Sequence, residues 1–407
     1  MHGSGLHDRG LSSIGDSGQH VRCPGGAGVS DSSAEAALFV STARAFLDKR
    51  ASLADVRALH ADGQSFDPTW WHRAAELGWT SLLVPEELGG GSVSGNPLHD
   101  LASIAEEIGR TVAPGPLHPV STVLAGLVDA DNHDDHADTI DALIAGQTVA
   151  SWAVDEPGRA FSPHDPLLTA QVTAGGYRLD GVKDRVEAGP QADVLLVTAR
   201  TDDGPCQFLV STDARGVTVH RQRCIDMVKQ YARVEFDAVE VAAAAAVGSA
   251  EQTPELIERQ SHIAMVLQCA ETVGMLDAVL GMTIAWARDR HSFGRPLASY
   301  QALKHRFADM TMWQHACRAI TEGAVDEVAA RQPDAGLWVS AAKSYLGEHA
   351  GPLVQDCVQL HGGIGVTWEH DLHLYLRRIT LYRNLFGTPS EHHRAIYRLA
   401  GNAKVPA

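Results

Sequence analysis

The stretch Arg290-His291-Ser292-Phe293-Gly294-Arg295-Pro296-Leu297 separates two long segments with helical periodicity, near Pro254 to Arg288 and Ser299 to Arg331. Gly294 and Pro296 interrupt helical hydrogen bonding, so the stretch is predicted to be a turn between two helices. A third helical segment, Asp334 to Leu360, runs into Gln359-Leu360-His361-Gly362-Gly363-Ile364-Gly365. Together with a shorter terminal helix, these segments predict an antiparallel four-helix bundle.

The residue pattern before the bundle changes twice along the chain. Residues 34–147 show helical periodicity with Ala-rich segments, whereas residues 148–245 consist of short β-branched runs separated by Gly, Asp and Pro turns. These patterns predict an N-terminal helical domain and a middle antiparallel β-barrel domain, followed by the bundle in residues 246–407. Residues 1–33 lack apolar periodicity and are predicted to be a disordered tail. The fold class is therefore α+β, with several domains.

Composition excludes several classes of function. The formal net charge of -17 argues against a general nucleic-acid role, because phosphate binding needs clustered Lys and Arg. No apolar run spans a bilayer and no signal core starts the chain, so a cytoplasmic protein outside the membrane is predicted. The six cysteines have no paired spacing. His133-Asp134-Asp135-His136 lies in a polar loop and is interpreted as a solvated turn, so no metal site is predicted.

The two glycine-containing motifs of the bundle resemble those of the acyl-CoA dehydrogenases. In that family the first motif binds the diphosphate and adenine side of FAD in a neighbouring subunit, and the second contacts FAD across a subunit boundary. A guanidinium fork suits diphosphate oxygens, and glycines allow close approach. The resemblance implies an FAD protein that is tetrameric, or at least dimeric. Its cofactor residues on this side would be Arg290, Ser292, Phe293, Gln301, Gln359, Gly362 and Gly363.

A weaker resemblance covers the entrance of the β domain. Trp152-Ala153-Val154-Asp155-Glu156-Pro157-Gly158 matches a family segment beside the flavin ring, but Asp155 replaces a Thr. Gly181 to Glu187 matches a strand that places Trp and Thr against the flavin, where this chain has Arg185 and Glu187. The resemblance implies Val154, Asp155 and Thr388 as further cofactor residues. A carboxylate near the ring would oppose negative charge on reduced flavin.

The position of the catalytic base departs from the family. There a Glu in a Glu-Gly-Thr triplet removes the α-proton of an acyl thioester, and this chain reads Phe386-Gly387-Thr388. Some relatives carry the base on the first bundle helix, and counting back from Arg290 places that alternative at Ala264. Neither side chain can accept a proton. Substitute bases are Glu187, Asp155 and Glu271, each of which is interpreted first as a surface or helix-pairing carboxylate.

Three interpretations therefore stay open. The chain is a dehydrogenase of a thioester of CoA or a carrier protein with a relocated base, delivering electrons to an electron-transfer flavoprotein or another acceptor. Alternatively it is an FAD-binding or non-catalytic partner subunit of a heteromeric dehydrogenase. The third interpretation is changed chemistry on the same fold, such as oxygenation, dehydration or cyclisation. Association is expected as a homo-oligomer or as a heteromer with a related chain.

Overall fold

The computed structural model describes residues 28–402. Its first part is helical, and the predicted helical unit before the sheet is confirmed. Helix α1 includes residues 28–33, which the sequence assigned to the disordered tail, while residues 1–27 lie outside the described residues. A capping box formed by Ser52 and Asp55 starts the second helix. The helices are α1 Gly28–Arg50, α2 Leu53–Ala61, α3 Pro68–Glu76, α4 Pro97–Thr111, α5 Leu117–Asp129 and α6 Ala137–Ile144.

The middle of the chain forms one eight-stranded sheet with the order β6-β7-β3-β2-β4-β5-β8, and β1 pairs with β4 off this path. Most pairings are antiparallel as predicted, but β1 and β2 pair with β4 in parallel. The path has two end strands, β6 and β8. The strands are β1 Ala150–Ala153, β2 Thr169–Thr173, β3 Gly176–Glu187, β4 Val194–Thr201, β5 Gly204–Ser211, β6 Val217–Gln222, β7 Tyr231–Ala242 and β8 Ala246–Val247.

The last part is the predicted bundle of long helices. Helices α7, α8 and α9 pack against one another, and α10 and α11 pack on α9. The three long segments predicted from periodicity agree with the observed bounds to within two residues. A two-stranded hairpin, β9 His291–Ser292 and β10 Arg295–Pro296, lies between α7 and α8. The helices are α7 Thr253–Asp289, α8 Gln301–Ala329, α9 Ala335–His361, α10 Leu372–Tyr382 and α11 Pro389–Asn402.

Helix α7 is the centre of the molecule. It contacts α4 and α5 on one side and α8 and α9 on the other, so apolar residues occur around its whole circumference. It is long and apolar enough to cross a bilayer, but 89% of its most apolar window is buried inside the protein. The crossing with α4 is close because Gly109 lies against the backbone of Glu271 and Gly274 lies against the backbone of Glu106. A Cβ at either glycine would collide with a carbonyl oxygen.

Candidate active site and cofactor surface

A small cavity of about 30 Å³ lies where the N-terminal helices, the sheet and the bundle meet. It contains side chains from α5, β1, β3 and α7, and from the loop that follows α10. The cavity brings together residues that the sequence had proposed separately, Asp155, Glu187, Ala264 and Phe386. It is lined by His118, Pro119, Thr122, Ser151, Trp152, Val154, Asp155, Arg185, Glu187, Tyr231, Ala264, Gln268, Leu385 and Phe386.

Phe386 and Ala264, the two positions compared with family bases, form apolar parts of the cavity wall. Phe386 has a φ of 57°, which L-residues rarely adopt. Its ring lies 6.5 Å from the ring of Trp152 and 5.2 Å from that of Phe161, between centroids. Ala264 is buried in α7. The cavity wall at Phe386 and Ala264 is therefore apolar and contains no side chain that can accept a proton.

The three proposed substitute bases are all held by cations. An Nε of Arg185 lies 3.3 Å from an oxygen of Asp155, and Lys229 Nζ donates to Glu187 at 2.7 Å. Burial raises the pKa of Asp155 despite the nearby guanidinium. Asp155 and Glu271 are both buried, so for these two residues the surface alternative in their interpretation as surface or helix-pairing carboxylates is wrong. Although burial alone would raise the pKa of Glu271, Lys229 and Arg378 hold that pKa below its usual value.

Arg378 is the centre of a buried ionic cluster that sequence reasoning missed. Its guanidinium donates to Asp226 of the sheet unit at 2.7 and 3.1 Å and to Glu271 of α7 at 2.9 Å. It also donates to the carbonyl of Ala113, at 2.9 Å, in the N-terminal helical unit. The same cluster includes Tyr382, whose hydroxyl donates to Glu271 at 2.7 Å. One side chain on α10 therefore ties all three parts of the chain together.

A signal for this cluster existed in the sequence. Tyr375, Arg378, Ile379 and Tyr382 recur at the spacing of one helix face, and the apolar members predict that this face is buried. An arginine on such a face requires a buried acidic partner. The partners Asp226 and Glu271 lie 152 and 107 residues away along the chain, so the sequence alone did not identify them.

Trp152 is fixed by a chain of amide and hydroxyl groups. Its Nε1 donates to Thr198 Oγ1 at 3.1 Å, and Gln207 Nε2 donates to the same oxygen at 3.3 Å. Gln207 also donates to Gln260 at 2.8 Å, and that amide donates to the carbonyl of Thr122. The orientation of the aromatic wall of the cavity is therefore set by buried polar groups on the sheet and on α7.

A second candidate surface lies at the far end of the bundle. The hairpin after α7 and the glycine segment after α9 are adjacent there, because Trp286 stacks on His361 with 5.3 Å between ring centroids. The guanidinium of Arg290 lies 5.7 Å above the ring of Trp286. Seven of the proposed cofactor residues lie in these segments and at the start of α8: Arg290, Ser292, Phe293, Gln301, Gln359, Gly362 and Gly363. We call this group the bundle-end surface.

The bundle-end surface has the chemistry of a dinucleotide site. Phe293 and Gly294 form the hairpin turn with φ values of 49° and 81°, and the Phe293 side chain is 97% exposed. Arg290 makes no ion pair within residues 28–402. The surface therefore offers a free guanidinium, two amides, a hydroxyl group and glycine backbone, which are suitable donors for the diphosphate of FAD.

The bundle-end surface and the cavity are far apart within one chain. Ala264 and Arg290 are 26 positions apart on a continuous helix, which corresponds to about 39 Å at 1.5 Å per residue. The proposed ring-side residues Val154 and Asp155 line the cavity, and Thr388 caps α11 through Glu391 near it. One FAD molecule could contact both sets of residues only if two chains contributed to its site.

The tetrad His133-Asp134-Asp135-His136 forms a short 3-10 helix. His136 is buried, with Nε2 3.0 Å from the carbonyl of Ala246, so this residue is structural rather than solvated. Within residues 28–402, no three His, Cys, Asp or Glu side chains are grouped as metal ligands.

Comparison with known proteins agrees with this architecture. The family models "Acyl-CoA dehydrogenase, N-terminal domain" and "Acyl-CoA dehydrogenase, C-terminal domain" match residues 33–132 and 256–399. The chain is 30% identical to acyl-CoA dehydrogenase IpdE2 of Mycobacterium tuberculosis, over 86% of this chain and 92% of that protein. The IpdE2 protein of Mycolicibacterium smegmatis is 29% identical, over 89% and 98% of the two chains.

Two solved structures are similar over nearly the whole chain. A variant of the steroid ACAD Tcur3481-Tcur3483 has a TM-score of 0.83 and 27% identity, with 91% of this chain and 99% of that chain covered. The ChsE4-ChsE5 complex from Mycobacterium tuberculosis has a TM-score of 0.82 and 26% identity, with 92% and 98% covered.

Proposed function

Because the chain belongs to the acyl-CoA dehydrogenase family, we propose that it is one subunit of a two-chain, FAD-dependent acyl-CoA dehydrogenase. A related chain supplies the catalytic base for α,β-dehydrogenation of an acyl thioester. This chain contributes its bundle-end surface to the FAD of that partner and stabilises the assembly. We place the complex in the cytoplasm.

The proposal rests on the side chains that line the cavity, none of which is an unpaired carboxylate. Phe386 and Ala264, the positions that the resemblance compares with the family's bases, offer no proton acceptor, and Trp152 and Phe161 pack around Phe386. Asp155, Glu187 and Glu271 are each paired with Arg or Lys. Of these, Glu271 is held ionised by Lys229 and Arg378 and is therefore a weak base, because its protonation would leave those cations unpaired. Loss of a general base costs about 10²- to 10⁴-fold in rate, so a base from another chain is the simpler solution.

The bundle-end surface would hold the ADP half of FAD. Arg290 and Ser292 would bind the diphosphate, Gln301 and Gln359 would bind nearby polar atoms, and the glycines would allow close approach. When FAD is bound, it would accept a hydride from the acyl group. The flavin ring would lie against the partner's sheet, which gives one FAD for each pair of unlike chains.

The proposed substrate is an acyl group on CoA or on a carrier protein, and the acceptor is an electron-transfer flavoprotein or an equivalent. One similar structure is named a steroid ACAD and another is a complex of two differently named chains. Those names favour a steroid-derived acyl group and a heteromeric assembly for this chain as well.

Affinity purification of the full chain from its native cells tests the assembly. A related chain should co-purify, the complex should contain one FAD per pair, and anaerobic addition of a steroid acyl-CoA should bleach its flavin. The isolated chain should neither contain FAD nor show flavin bleaching. A homomeric protein that carries one FAD per chain and is bleached by acyl-CoA would overturn the proposal.

Matched variants of this chain separate its two surfaces. Arg290→Leu should release FAD from the complex, whereas Arg288→Leu, on the same helix end, should retain FAD. Phe386→Ala should leave turnover by the complex within about 2-fold of wild type, because the base lies in the other chain.

A further inference from the structure

The hairpin of β9 and β10 places a second arginine beside Arg290. In its register Ser292 pairs with Arg295, and the Leu297 N–H donates to the Arg290 carbonyl at 2.8 Å, which extends the pairing by one step. Residues that pair across two strands lie on the same face, as do residues two positions apart on one strand. Arg290, Ser292 and Arg295 therefore share one face of the hairpin.

The backbone of the hairpin fixes this face. Phe293 and Gly294 both have left-handed φ values, 49° and 81°, as in the two-residue turns whose twist matches that of paired strands. The hydroxyl group of Tyr300 donates to the carbonyl oxygen of Ser292 at 2.7 Å, which ties the hairpin to the start of α8. The arrangement of the two arginines is therefore set by the chain itself, before a ligand binds.

Each of the two guanidinium groups lies over an aromatic ring. That of Arg295 lies 3.9 Å from the ring centroid of Tyr300, and that of Arg290 lies 5.7 Å from the ring centroid of Trp286. The attraction between a cation and a ring face limits the positions that the cation can take. A guanidinium held in this way still has N–H groups at its edge, which can donate to the oxygen atoms of a phosphate.

The positive charges on this face are not balanced by the chain. Neither Arg290 nor Arg295 makes an ion pair within residues 28–402. Diagonal neighbours on paired strands are about 7 to 8 Å apart, and like charges on one face repel each other. A ligand with two adjacent anionic groups would remove this repulsion, and a diphosphate has one such group for each guanidinium.

We propose that Arg295 is a further cofactor-binding residue, which binds one phosphate of the FAD diphosphate while Arg290 binds the other. This inference rests on the proposed function and extends it, because the family motifs pointed to Arg290 alone of the two arginines. With both guanidinium groups the bundle-end surface selects a diphosphate over a nucleotide with one phosphate. Tyr300 is a positioning residue, because its ring holds Arg295 in place.

Titration of FAD into the FAD-depleted complex, followed by flavin fluorescence, tests the role of Arg295. Arg295→Leu should lower the affinity for FAD by about 10-fold or more, because a charge-assisted hydrogen bond to phosphate is lost. Arg288→Leu is the control, since it removes the same charge from the exposed end of α7, and it should change the affinity by less than about 2-fold. Displacement of FAD by ADP and by AMP measures recognition of the second phosphate. ADP should be about 10-fold more effective on wild type, and this preference should fall to within about 3-fold in Arg295→Leu.

Two further variants test the positioning role of the ring. Tyr300→Phe keeps an aromatic ring under Arg295 and should retain the preference for ADP, whereas Tyr300→Leu should reduce it. An unchanged preference in Tyr300→Leu would overturn the positioning role.

The outcomes separate this inference from the proposed function. Equal affinity of Arg295→Leu and Arg288→Leu for FAD, or an unchanged preference for ADP in Arg295→Leu, would overturn the inference. If Arg290→Leu loses FAD while Arg295→Leu keeps it, only the inference falls and the proposed function stands. A wild-type complex that takes up no FAD would overturn the proposed function and this inference together.

Discussion

His392 connects the loop that carries Phe386 to the last helix. Its Nε2 lies 3.1 Å from the carbonyl oxygen of Phe386, and the side chain is 6% exposed. Burial, and secondly the charge of Lys343, lowers the pKa of His392 from 6.5 to about 4. The neutral ring is therefore part of the folded state.

This histidine should make the protein sensitive to acid. Between pH 6.5 and 4 the unfolded chain binds a proton that the folded chain does not, so the free energy of unfolding falls as pH falls through this window. The loss from one such group is up to about 3 kcal/mol. His392→Gln can still donate to the Phe386 carbonyl but does not titrate, so urea unfolding at pH 7, 6, 5 and 4 should show a smaller loss.

The exposed neighbour provides the matched control. His393→Gln should leave the pH dependence as in wild type. If the His392→Gln protein loses stability across the window as steeply as wild type does, the buried ring is not the acid-sensitive group.

Arg378 should be among the most sensitive residues for stability. Arg378→Met fits an apolar environment but leaves Asp226 and Glu271 with an uncompensated buried charge, and removing one partner of a buried pair costs about 3 to 5 kcal/mol. The adjacent Arg377 is half-buried and donates only to the carbonyl of Ile225. Arg377→Met should cost less than about 1 kcal/mol. Denaturant unfolding of the two variants checks this, and equal losses would show that the cluster is not the stabilising feature.

Single residues also mark the limit of sequence reasoning. The interpretation of Phe386 as the altered base position could be made from the sequence, because the neighbouring Gly387 and Thr388 match the family triplet. The ion-pair partners of Arg378, Asp226 and Glu271, could not be predicted from the sequence, because an ionic cluster depends on which distant residues the fold brings together.

At the level of elements, the crossing of α4 and α7 depends on two small residues. Gly109 and Gly274 each face a carbonyl oxygen of the opposite helix, so the two backbones are nearly in contact. Gly109→Ala or Gly274→Ala should force the helices apart and cost about 1 to 3 kcal/mol.

Gly281, on the same helix α7, provides the control because a Cβ there would meet nothing within 4 Å. Gly281→Ala should stabilise the protein by about 0.5 to 1 kcal/mol, since alanine is the better helix former. Thermal unfolding of the three variants measures the difference. A Gly274→Ala protein as stable as wild type would contradict the close crossing.

The long helices were predictable and the sheet was less so. Periodicity, together with the turn at Gly294 and Pro296, gave the bounds of α7 and α8 closely. Short β-branched runs indicated strands, but their spacing does not specify partners. The parallel pairing of β1 with β4 could not be predicted, because strands distant in sequence become neighbours only after the chain has crossed the sheet.

For the whole molecule, the proposed assembly predicts that the exposed ring of Phe293 is covered in the complex. An aromatic side chain that is 97% exposed in a left-handed turn gains nothing from folding of the isolated chain. Phe293→Ser should therefore leave the melting temperature of the isolated chain within about 1 °C. In the complex it should reduce the FAD content and weaken association with the partner by about 10-fold or more.

Val172 is also exposed, at 77%, but lies on β2 of the sheet unit. Val172→Ser should change neither FAD content nor association, as measured by flavin absorbance and analytical ultracentrifugation. Equal effects of the two substitutions would mean that general surface hydrophobicity, rather than the bundle-end surface, governs assembly.

Helix α7 carries Ala264 and Gln268 in the cavity wall and ends next to Arg290. The number of residues in this helix therefore sets the distance and the relative orientation of the cavity and the bundle-end surface. Inserting one residue after Gly281 would rotate the arginine end by about 100° and advance it by 1.5 Å, while leaving the cavity wall unchanged. The distance between the two ends is therefore fixed by the number of residues from Ala264 to Arg290. We therefore expect related chains to differ in loop length but to keep the number of residues between these two positions of α7.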